Sequence, residues 1–457
     1  MFTRLKFQNF KSWANTGDIG LKPITGLFGA NSSGKTSLLQ ALLLLKQTSD
    51  SADRGLPLQF GDKSSLVNLG DFRSVVYSHA DEAELMFSLD WVRERAFVAK
   101  APARPGEPVV ESPSLGFTTQ VRGENGSGKA LRLTVPKMSY RVGNMSFGMR
   151  RKTEGRNEYV LSAEGTDFHF ERTRGRAWPL PAPVKCYGFP DQVRAYYQNA
   201  GFLSDLELAL EEQLRQVYYL GPLRAYPERT YTWSGSQPSD MGQAGEQAVH
   251  AILSSRDKGE KISQGRGRPR ATLERYVAEW LQSLGLIAEF RVEAVAEGSQ
   301  IFQVKVRKTA GGAESLITDV GFGVSQILPV IVLCFYVPEG STVILEQPEI
   351  HLHPAVQANL ADVLIDAHKK RKVQIIIESH SEHLLRRLQR RVAEQELSKD
   401  DVALYFCEAG LKGSALTPLE LDLFGNITNW PAEFFGDQFG ELAATQEARL
   451  NLKAKKA

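Results

Sequence analysis

The stretch Gly29-Ala30-Asn31-Ser32-Ser33-Gly34-Lys35-Thr36 decides the fold of this chain, because it has the form G-x-x-x-x-G-K-[ST]. An apolar run, 24–28, precedes it, and a second apolar run, 37–45, follows it. This order predicts a short buried strand, a glycine-rich loop and a helix that begins at the loop. Such a loop turns backbone N–H groups toward a phosphate, and the helix N-terminus adds the positive end of its dipole. The sequence therefore predicts a phosphate-binding loop.

The loop supplies the predicted nucleotide-binding residues. Lys35 is expected to reach the β- and γ-phosphates, and the Thr36 hydroxyl is expected to bind Mg²⁺. The alternative is a glycine turn with an unrelated lysine, which the flanking strand and helix disfavour. The full predicted set is Gly29, Asn31, Ser32, Ser33, Gly34, Lys35, Thr36 and Ser37.

A second stretch, Gly123-Glu124-Asn125-Gly126-Ser127-Gly128-Lys129-Ala130, has nearly the same pattern but ends in alanine. Ala130 has no hydroxyl with which to bind a metal ion. The runs 117–121 and 131–135 on either side alternate in the way that strands do. We therefore predict that Asn125-Gly126 turns a β-hairpin and that this stretch is not a nucleotide site.

Composition restricts the class of protein only broadly. The net charge of +2 on 457 residues neither requires nor excludes a nucleic-acid partner. The three cysteines, Cys186, Cys334 and Cys407, lack metal-ligand spacing, and no apolar run approaches the roughly 20 residues of a membrane helix. The chain begins with a strand-like segment and not with a signal peptide. We therefore expect a cytoplasmic protein with reduced thiols.

Hydrophobic patterning divides the chain into five predicted regions. Strands alternate with helices near both ends, which predicts an α/β fold with a mostly parallel central sheet, and short alternating runs fill the middle. The regions are 1–80 as the first half of a nucleotide-binding head, 81–200 as a β-rich insertion, 201–310 as an arm of helices and strands, 311–410 as the second half of the head, and 411–457 as a C-terminal module with a basic tail.

Four separated stretches resemble the ABC-type ATPase head of the structural-maintenance, RecF-like and overcoming-lysogenization-defect ATPases. They are Asn9-Phe10-Lys11-Ser12, 319–326 (DVGFGVSQ), 343–354 (VILEQPEIHLHP) and 375–381 (IIIESHS). The resemblance covers both ends of the chain and not its middle. It implies a P-loop NTPase fold interrupted by an insertion, with ATP and Mg²⁺ as cofactors. It also implies a homodimer or higher oligomer, in which two heads enclose the nucleotides.

The stretch 343–354 is similar to a Walker B segment, in which an apolar strand delivers an acid beside the phosphate loop. The resemblance assigns Glu346 to Mg²⁺, together with Thr36. Gln347 stands where such heads usually carry the glutamate that polarises water, and an amide cannot accept a proton. Glu349 is therefore the predicted general base and Gln347 a water-positioning residue, so hydrolysis is expected to be slow. A surface salt bridge is the alternative role for Glu349.

The stretches 319–326 and 375–381 imply contacts to the terminal phosphate. Gly321, Gly323 and Ser325 resemble the signature motif that one ABC head presents to the nucleotide of its partner. A glycine-rich helix cap is the alternative. His380 is similar to the switch histidine that senses the γ-phosphate. The predicted catalytic residues are Glu349, Gln347, His380 and Lys35.

Two further segments resemble a narrower group of bacterial AAA-type ATPases that is often associated with phage defence. They are 218–224 with 227–229, and 426–431 (NITNWP) with Phe434-Phe435. Arg224 and Arg229 bind phosphate or DNA in one interpretation and form packing salt bridges in the other. Lysogenization-defect ATPases usually carry a Toprim nuclease, but its Asp-x-Asp is missing here. The resemblance therefore implies a separately encoded effector protein.

One segment resembles a DNA-binding motif. Gly265-Arg266-Gly267-Arg268-Pro269-Arg270 is similar to an AT-hook core, in which arginines enter a narrow minor groove. Double-stranded DNA is therefore a candidate partner through Arg266 and Arg268, and a solvated linker is the alternative.

Together these patterns predict an ATP-gated dimeric switch, in bacterial anti-phage defence or DNA maintenance, that controls the effector. The alternative is a nucleotide-dependent scaffold with negligible turnover and no DNA contact, which Gln347 favours.

Overall fold

The chain forms two large sheets with helices between and outside them. The computed structural model describes residues 1–80, 83–100, 108–125, 131–153, 157–175, 178–265, 267, 269–411, 413–431, 444–446 and 448–449. Within these residues the strands are β1 (Phe2–Phe10), β2 (Trp13–Asn15), β3 (Ile19–Gly20), β4 (Ile24–Gly29), β5 (Glu84–Lys100), β6 (Pro108–Asn125), β7 (Leu131–Val142), β8 (Met145–Arg151), β9 (Tyr159–Glu164), β10 (Val217–Leu220), β11 (Tyr231–Thr232), β12 (Lys261–Ile262), β13 (Ala271–Thr272), β14 (Glu289–Ala294), β15 (Ile301–Arg307), β16 (Glu314–Leu316), β17 (Thr342–Glu346), β18 (Gln374–Glu378), β19 (Val402–Gly410) and β20 (Gly413–Leu419).

The helices follow the same chain order and lie mostly in the second half of the chain. They are α1 (Lys35–Asp50), α2 (Phe72–Val75), α3 (Gln192–Tyr196), α4 (Leu203–Arg215), α5 (Ala248–Asp257), α6 (Leu273–Ser283), α7 (Phe322–Tyr336), α8 (Pro354–Arg371) and α9 (Glu382–Ala393). In the described part of the chain, no helix is long and apolar enough to cross a membrane.

The six-stranded sheet carries the phosphate loop. Its order is β10-β17-β18-β4-β19-β20, and every neighbouring pair is parallel except β19 with β20. The carboxyl ends of β4, β17 and β18 therefore meet at one edge. In this register Glu346 lies opposite Glu378, and Glu378 lies opposite Leu27 of β4. The strand order, rather than the order along the chain, decides which side chains meet at the loop.

The eight-stranded sheet is antiparallel, with the order β2-β1-β5-β6-β7-β8-β9 and with β3 beside β1. The predicted mostly parallel central sheet thus describes the six-stranded sheet only. The antiparallel sheet also joins strands from both sides of the predicted boundary at 80/81, because β1 pairs with β5 from Phe2 to Gln8. β6 and β7 form the predicted hairpin, with Asn125 opposite Leu131, and the turn itself lies outside the described residues.

Alternate residues of the parallel strands face two different hydrophobic cores, because successive side chains of a strand point to opposite faces. Ile344 and Ile376 face α1, α4 and the antiparallel sheet. Val343 and Leu345 face α5 to α9. The helix α1 is buried along most of its length between the two sheets, and its central residues 38–45 are apolar except Gln40. This packing fixes the loop at the start of α1.

Candidate nucleotide-binding site

The phosphate loop lies between β4 and α1 and borders a cavity of about 300 Å³. Gly29 ends β4 with φ of 140°, and a Cβ there would lie 2.2 Å from the Cys407 carbonyl oxygen, so only glycine fits. The Gly34 carbonyl oxygen accepts a hydrogen bond of 3.0 Å from the Trp13 indole N–H. The buried Trp13 of β2 therefore holds the loop where α1 begins.

Lys35 is the first residue of α1, and its ammonium group lies inside the loop. Nζ donates to the carbonyl oxygens of Gly29 and Ala30, at 3.1 and 2.7 Å, and to Ser33 Oγ at 3.4 Å. Burial lowers the pKa of Lys35, and the Glu378 charge opposes that shift. Within the described residues Lys35 forms no direct ion pair, so its charge can bind a phosphate.

Thr36 contacts a glutamate that the sequence reasoning left without a role. Its hydroxyl donates a hydrogen bond of 2.9 Å to Oε1 of Glu378, at the end of β18. The other carboxylate oxygen, Oε2, is buried and has no partner among the described residues. Burial and the Glu346 charge raise the pKa of Glu378 to about 7. A buried, unsatisfied carboxylate oxygen beside a loop hydroxyl fits Mg²⁺, which binds through few protein oxygens and through substrate phosphates.

Glu346, the predicted metal-side residue, lies one strand farther from the loop. Its Oε2 accepts a hydrogen bond of 2.6 Å from the Tyr219 hydroxyl of β10, and burial raises its pKa. Because β18 and not β17 lies beside β4, the carboxylate that meets Thr36 belongs to Glu378. The end of a buried strand marks both glutamates in the sequence. Only the strand order distinguishes them.

Gln347 and His380 line the cavity, whereas Glu349 is not among its lining residues. Glu349 is only 6% exposed, and its Oε1 accepts a hydrogen bond of 2.7 Å from the His380 backbone N–H. Glu349 therefore holds the turn that follows β18. Burial and the Lys35 charge lower the pKa of His380, and a hydrogen bond to the Gly29 backbone opposes that shift.

The cavity brings together residues from distant parts of the sequence. Sequence reasoning assigned no ligand role to Lys11, Ser12 or Glu378, although the first two lie in the quoted Asn-Phe-Lys-Ser stretch. In the described residues, no group of three His, Cys, Asp or Glu side chains could hold a metal ion by itself. The residues that line the cavity are Lys11, Ser12, Asn31, Ser32, Ser33, Gly34, Lys35, Thr36, Ser37, Gln347, Glu378 and His380.

The predicted signature residues do not border this cavity. Gly321 is the N-cap of α7, and Gly323 lies in the first turn of that helix. Ser325 donates a hydrogen bond of 2.9 Å to the Phe322 carbonyl oxygen and borders a different, smaller cleft. Gly321 and Phe322 are exposed, so the N-terminus of α7 faces solvent.

Two predicted contact regions lie outside the described residues. They are Arg266 and Arg268 of the AT-hook-like segment, and Phe434-Phe435 of the C-terminal segment. Of the two arginines near β10, Arg229 is exposed and pairs with Asp319 at 3.0 Å, as the packing interpretation expects.

Two protein-family models match parts of this chain, and one of them covers most of the segments that line the cavity. The family described as "AAA domain, putative AbiEii toxin, Type IV TA system" matches residues 24–86 and 300–386, which include the phosphate loop, β17 and β18. A family described as "Protein of unknown function (DUF3696)" matches residues 397–444. No curated protein sequence matches the chain. The first match supports a P-loop ATPase domain of the AAA type, assembled from two separated segments.

Structural comparison finds heads of SMC proteins among the similar solved structures. An Smc head bound to the C-winged helix domain of ScpA has a TM-score of 0.45 at 12% identity, covering 92% of this chain and 98% of that chain. The SMC head domain from Thermotoga maritima has a TM-score of 0.39 at 12% identity, covering 92% and 99%. An Smc head with an extended coiled coil, bound to the C-terminal domain of ScpA and derived from Pyrococcus furiosus, has a TM-score of 0.46 at 10% identity, covering 92% and 96%.

Proposed function

We propose that this chain binds ATP with Mg²⁺ at the phosphate loop, hydrolyses it slowly and acts as an ATP-gated dimeric switch. One observation carries the proposal: segments that lie more than 300 residues apart meet at a single cavity. The loop contributes Lys35 and Thr36, and the edge of the parallel sheet contributes Gln347, Glu378 and His380. Cations, hydroxyls and one carboxylate in this arrangement suit a nucleoside triphosphate and its metal ion.

The residues of the cavity divide the work of binding and chemistry. Lys35 and the loop N–H groups bind the phosphates, and the His380 imidazole, which lines the cavity, contacts the terminal phosphate. Thr36 and Glu378 would hold Mg²⁺, which when bound neutralises charge on the phosphates. Glu349 keeps the His380 turn in position. In this proposal Glu378, and not Glu346, has the metal-side role.

Slow hydrolysis is expected from the acids around the cavity. Among the described lining residues Glu378 is the one carboxylate, and it is engaged with Thr36. Gln347 can orient water but cannot accept its proton, and general-base assistance contributes about 10²–10⁴-fold. Glu349 is buried, its Oε1 accepts the His380 backbone N–H, and it does not line the cavity.

The N-terminus of α7 supports the dimeric part of the proposal. It is exposed, Gly321 and Gly323 lie on either side of Phe322 there, and it does not border the cavity of its own chain. Its unpaired backbone N–H groups suit the terminal phosphate of a nucleotide in a second copy. ATP would drive closure by binding the closed dimer more tightly than the open one.

We further propose that this switch controls a separately encoded effector in bacterial anti-phage defence or DNA maintenance. The resemblance to defence-associated ATPases supports this role. So does the description of the matching family, which names a toxin of a toxin–antitoxin system. A scaffold with negligible turnover is the second candidate, because the cavity lacks an unengaged carboxylate in the part of the chain that the structure describes.

Mass measured by light scattering, with ATP and Mg²⁺ or with ADP, tests the switch. We expect a dimer with ATP and a monomer with ADP. Gly323→Arg should abolish the dimer but leave ATP binding unchanged in the monomer, because Gly323 does not border the cavity of its own chain. A wild-type chain that binds ATP but has the same mass with ATP and ADP contradicts the switch. Turnover that duplex DNA leaves unchanged, together with partner capture that needs ATP binding alone, favours the scaffold.

A further inference from the structure

Arg224 follows β10 and carries a guanidinium group whose donors are not satisfied. Its Nε and Nη1 atoms are buried, and neither has a hydrogen-bond partner among the described residues. A buried N–H without an acceptor costs free energy, and a buried charge without a counter-ion costs more. No described residue therefore supplies an acceptor for these two N–H donors.

Other arginines in the interior of the protein have a carboxylate partner. Arg387 and Arg391 both bind Asp362, at 2.6 Å, and Arg151 binds Glu124. Within the described residues, Arg224 has no carboxylate oxygen within ion-pair distance, although Glu346 and Glu349 are near enough to act on its charge. Arg224 is thus close to two acids without contacting either.

The backbone around Arg224 is held by hydrogen bonds. The Gly221 N–H donates to the Gln243 carbonyl oxygen at 2.8 Å, and the Ala225 N–H donates to the Ala244 carbonyl oxygen at 2.9 Å. Hydrogen bonds on both sides of Arg224 therefore tie the turn to one loop. A held backbone lowers the conformational cost of placing this unpaired cation against an anion.

The position of Arg224 indicates which anion. β10 is parallel to β17, with Leu220 opposite Leu345, so the turn after β10 leaves the sheet at the same edge as the phosphate loop. Glu346 follows Leu345 at the end of β17. It lies opposite Glu378, which accepts the hydrogen bond from Thr36, so Glu346 lies between the turn of Arg224 and the phosphate loop. β17 and β18 lie between β10 and β4, and Arg224 is not among the residues that line the cavity of the phosphate loop, so its guanidinium approaches that cavity from the side of Glu346.

We propose that Arg224 binds the terminal phosphate of the ATP that the phosphate loop holds. This inference rests on the proposed ATP site and adds a residue that distinguishes the triphosphate from the diphosphate. A guanidinium offers two parallel N–H groups to a phosphate, and ADP has no phosphate at the terminal position. Arg224 then makes the chain respond to ATP and not to ADP.

The affinities for ATP and ADP, both measured with Mg²⁺ by calorimetry on the full chain, test this role. Arg224→Ala should weaken ATP binding by about 10- to 100-fold, the usual effect of losing charged hydrogen bonds, and change ADP binding by less than about 2-fold. Arg224→Lys should fall between, because it keeps the charge and loses the paired geometry. Arg229→Ala is the matched control, since Arg229 is exposed and paired with Asp319, and it should change neither affinity.

Equal losses of ATP and ADP affinity in Arg224→Ala, or no loss of either, would overturn the inference and indicate a counter-ion for the neighbouring glutamates. If Arg224→Ala does not fold, Arg224→Lys and Arg224→Gln decide by the same ratio of affinities. The proposed ATP site fails in a different way, because the wild-type chain would then bind neither nucleotide. Binding of ATP that requires Lys35 but not Arg224 contradicts this inference alone.

Discussion

The two glycine-rich stretches of this chain have nearly the same sequence pattern but connect different secondary-structure elements. Residues 29–36 connect a parallel strand, β4, to the buried helix α1. Residues 123–125 of the second stretch belong to β6, which pairs antiparallel with β7 directly after it. The first stretch therefore ends at the start of a helix, where N–H groups are free to bind an anion, and the second joins two strands.

The comparison shows that two nearly identical glycine-rich patterns have different structural surroundings, and only the first lies between a strand and a helix. In the second stretch, Glu124 of β6 forms an ion pair with Arg151 of β8 in the antiparallel sheet. Lys35 of the first stretch instead donates to loop carbonyls at the cavity, and Thr36 meets Glu378. The position of the first stretch between a strand and a helix, and not its composition alone, makes Lys35 the proposed phosphate ligand.

The largest expected effect separates the lysines of the two stretches. Lys35→Ala should reduce ATP affinity by at least about 100-fold, because it removes the cation that the loop holds against the phosphates. Lys129→Ala should leave ATP affinity unchanged, and equilibrium binding of a fluorescent ATP analogue measures both. A loss of affinity in Lys129→Ala would contradict the distinction between the two stretches.

A smaller effect, on stability, separates the first glycines of the two stretches. Gly29→Ala places a Cβ 2.2 Å from a backbone oxygen of Cys407 at a φ of 140°, so we expect a loss of about 3 kcal/mol or more. Gly123→Ala places a Cβ 2.6 Å from a Leu131 side-chain atom, which can move, so about 1 kcal/mol is expected. Urea unfolding without nucleotide measures both losses. Equal losses would show that Gly29 is not held as tightly as the structure indicates.

The smallest effect concerns Glu378, whose carboxylate accepts a hydrogen bond from Thr36. The second stretch has Ala130 in place of Thr36 and therefore has no hydroxyl for such a contact. The pKa of Glu378, raised to about 7 by burial and Glu346, exceeds its unfolded value. The folded state keeps a proton that the unfolded state releases, so the free energy of unfolding falls between about pH 4.5 and 7 and is level above. Glu378→Gln should remove about 1–3 kcal/mol of this fall.

Unfolding of the nucleotide-free protein at pH 5, 6, 7 and 8 measures the difference between Glu378→Gln and the wild type. The other groups that act on Glu378, namely Glu346, Thr36, Lys35 and Gln347, are present in both proteins. Parallel stability curves would contradict a raised pKa for Glu378. The variant should gain stability over the wild type as the pH rises.

The sequence by itself determined the local units of this protein. The loop at 29–36, the strand before it and the helix after it follow from glycine positions and apolar runs, which act over a few residues. The hairpin of β6 and β7 follows from alternation in the same way. The strands that end in Glu346 and Glu378 were also visible, because buried parallel strands are apolar throughout.

Only the tertiary structure decided which of these units meet. Thr36 and Glu378 are 342 residues apart, and the strand order that joins them depends on pairings that no local pattern encodes. The same is true of β1. It belongs to the predicted first half of the head but pairs with β5, which belongs to the predicted insertion. Local propensity fixes how a segment folds, but the choice of its neighbour is made by burial and hydrogen bonding across the whole chain.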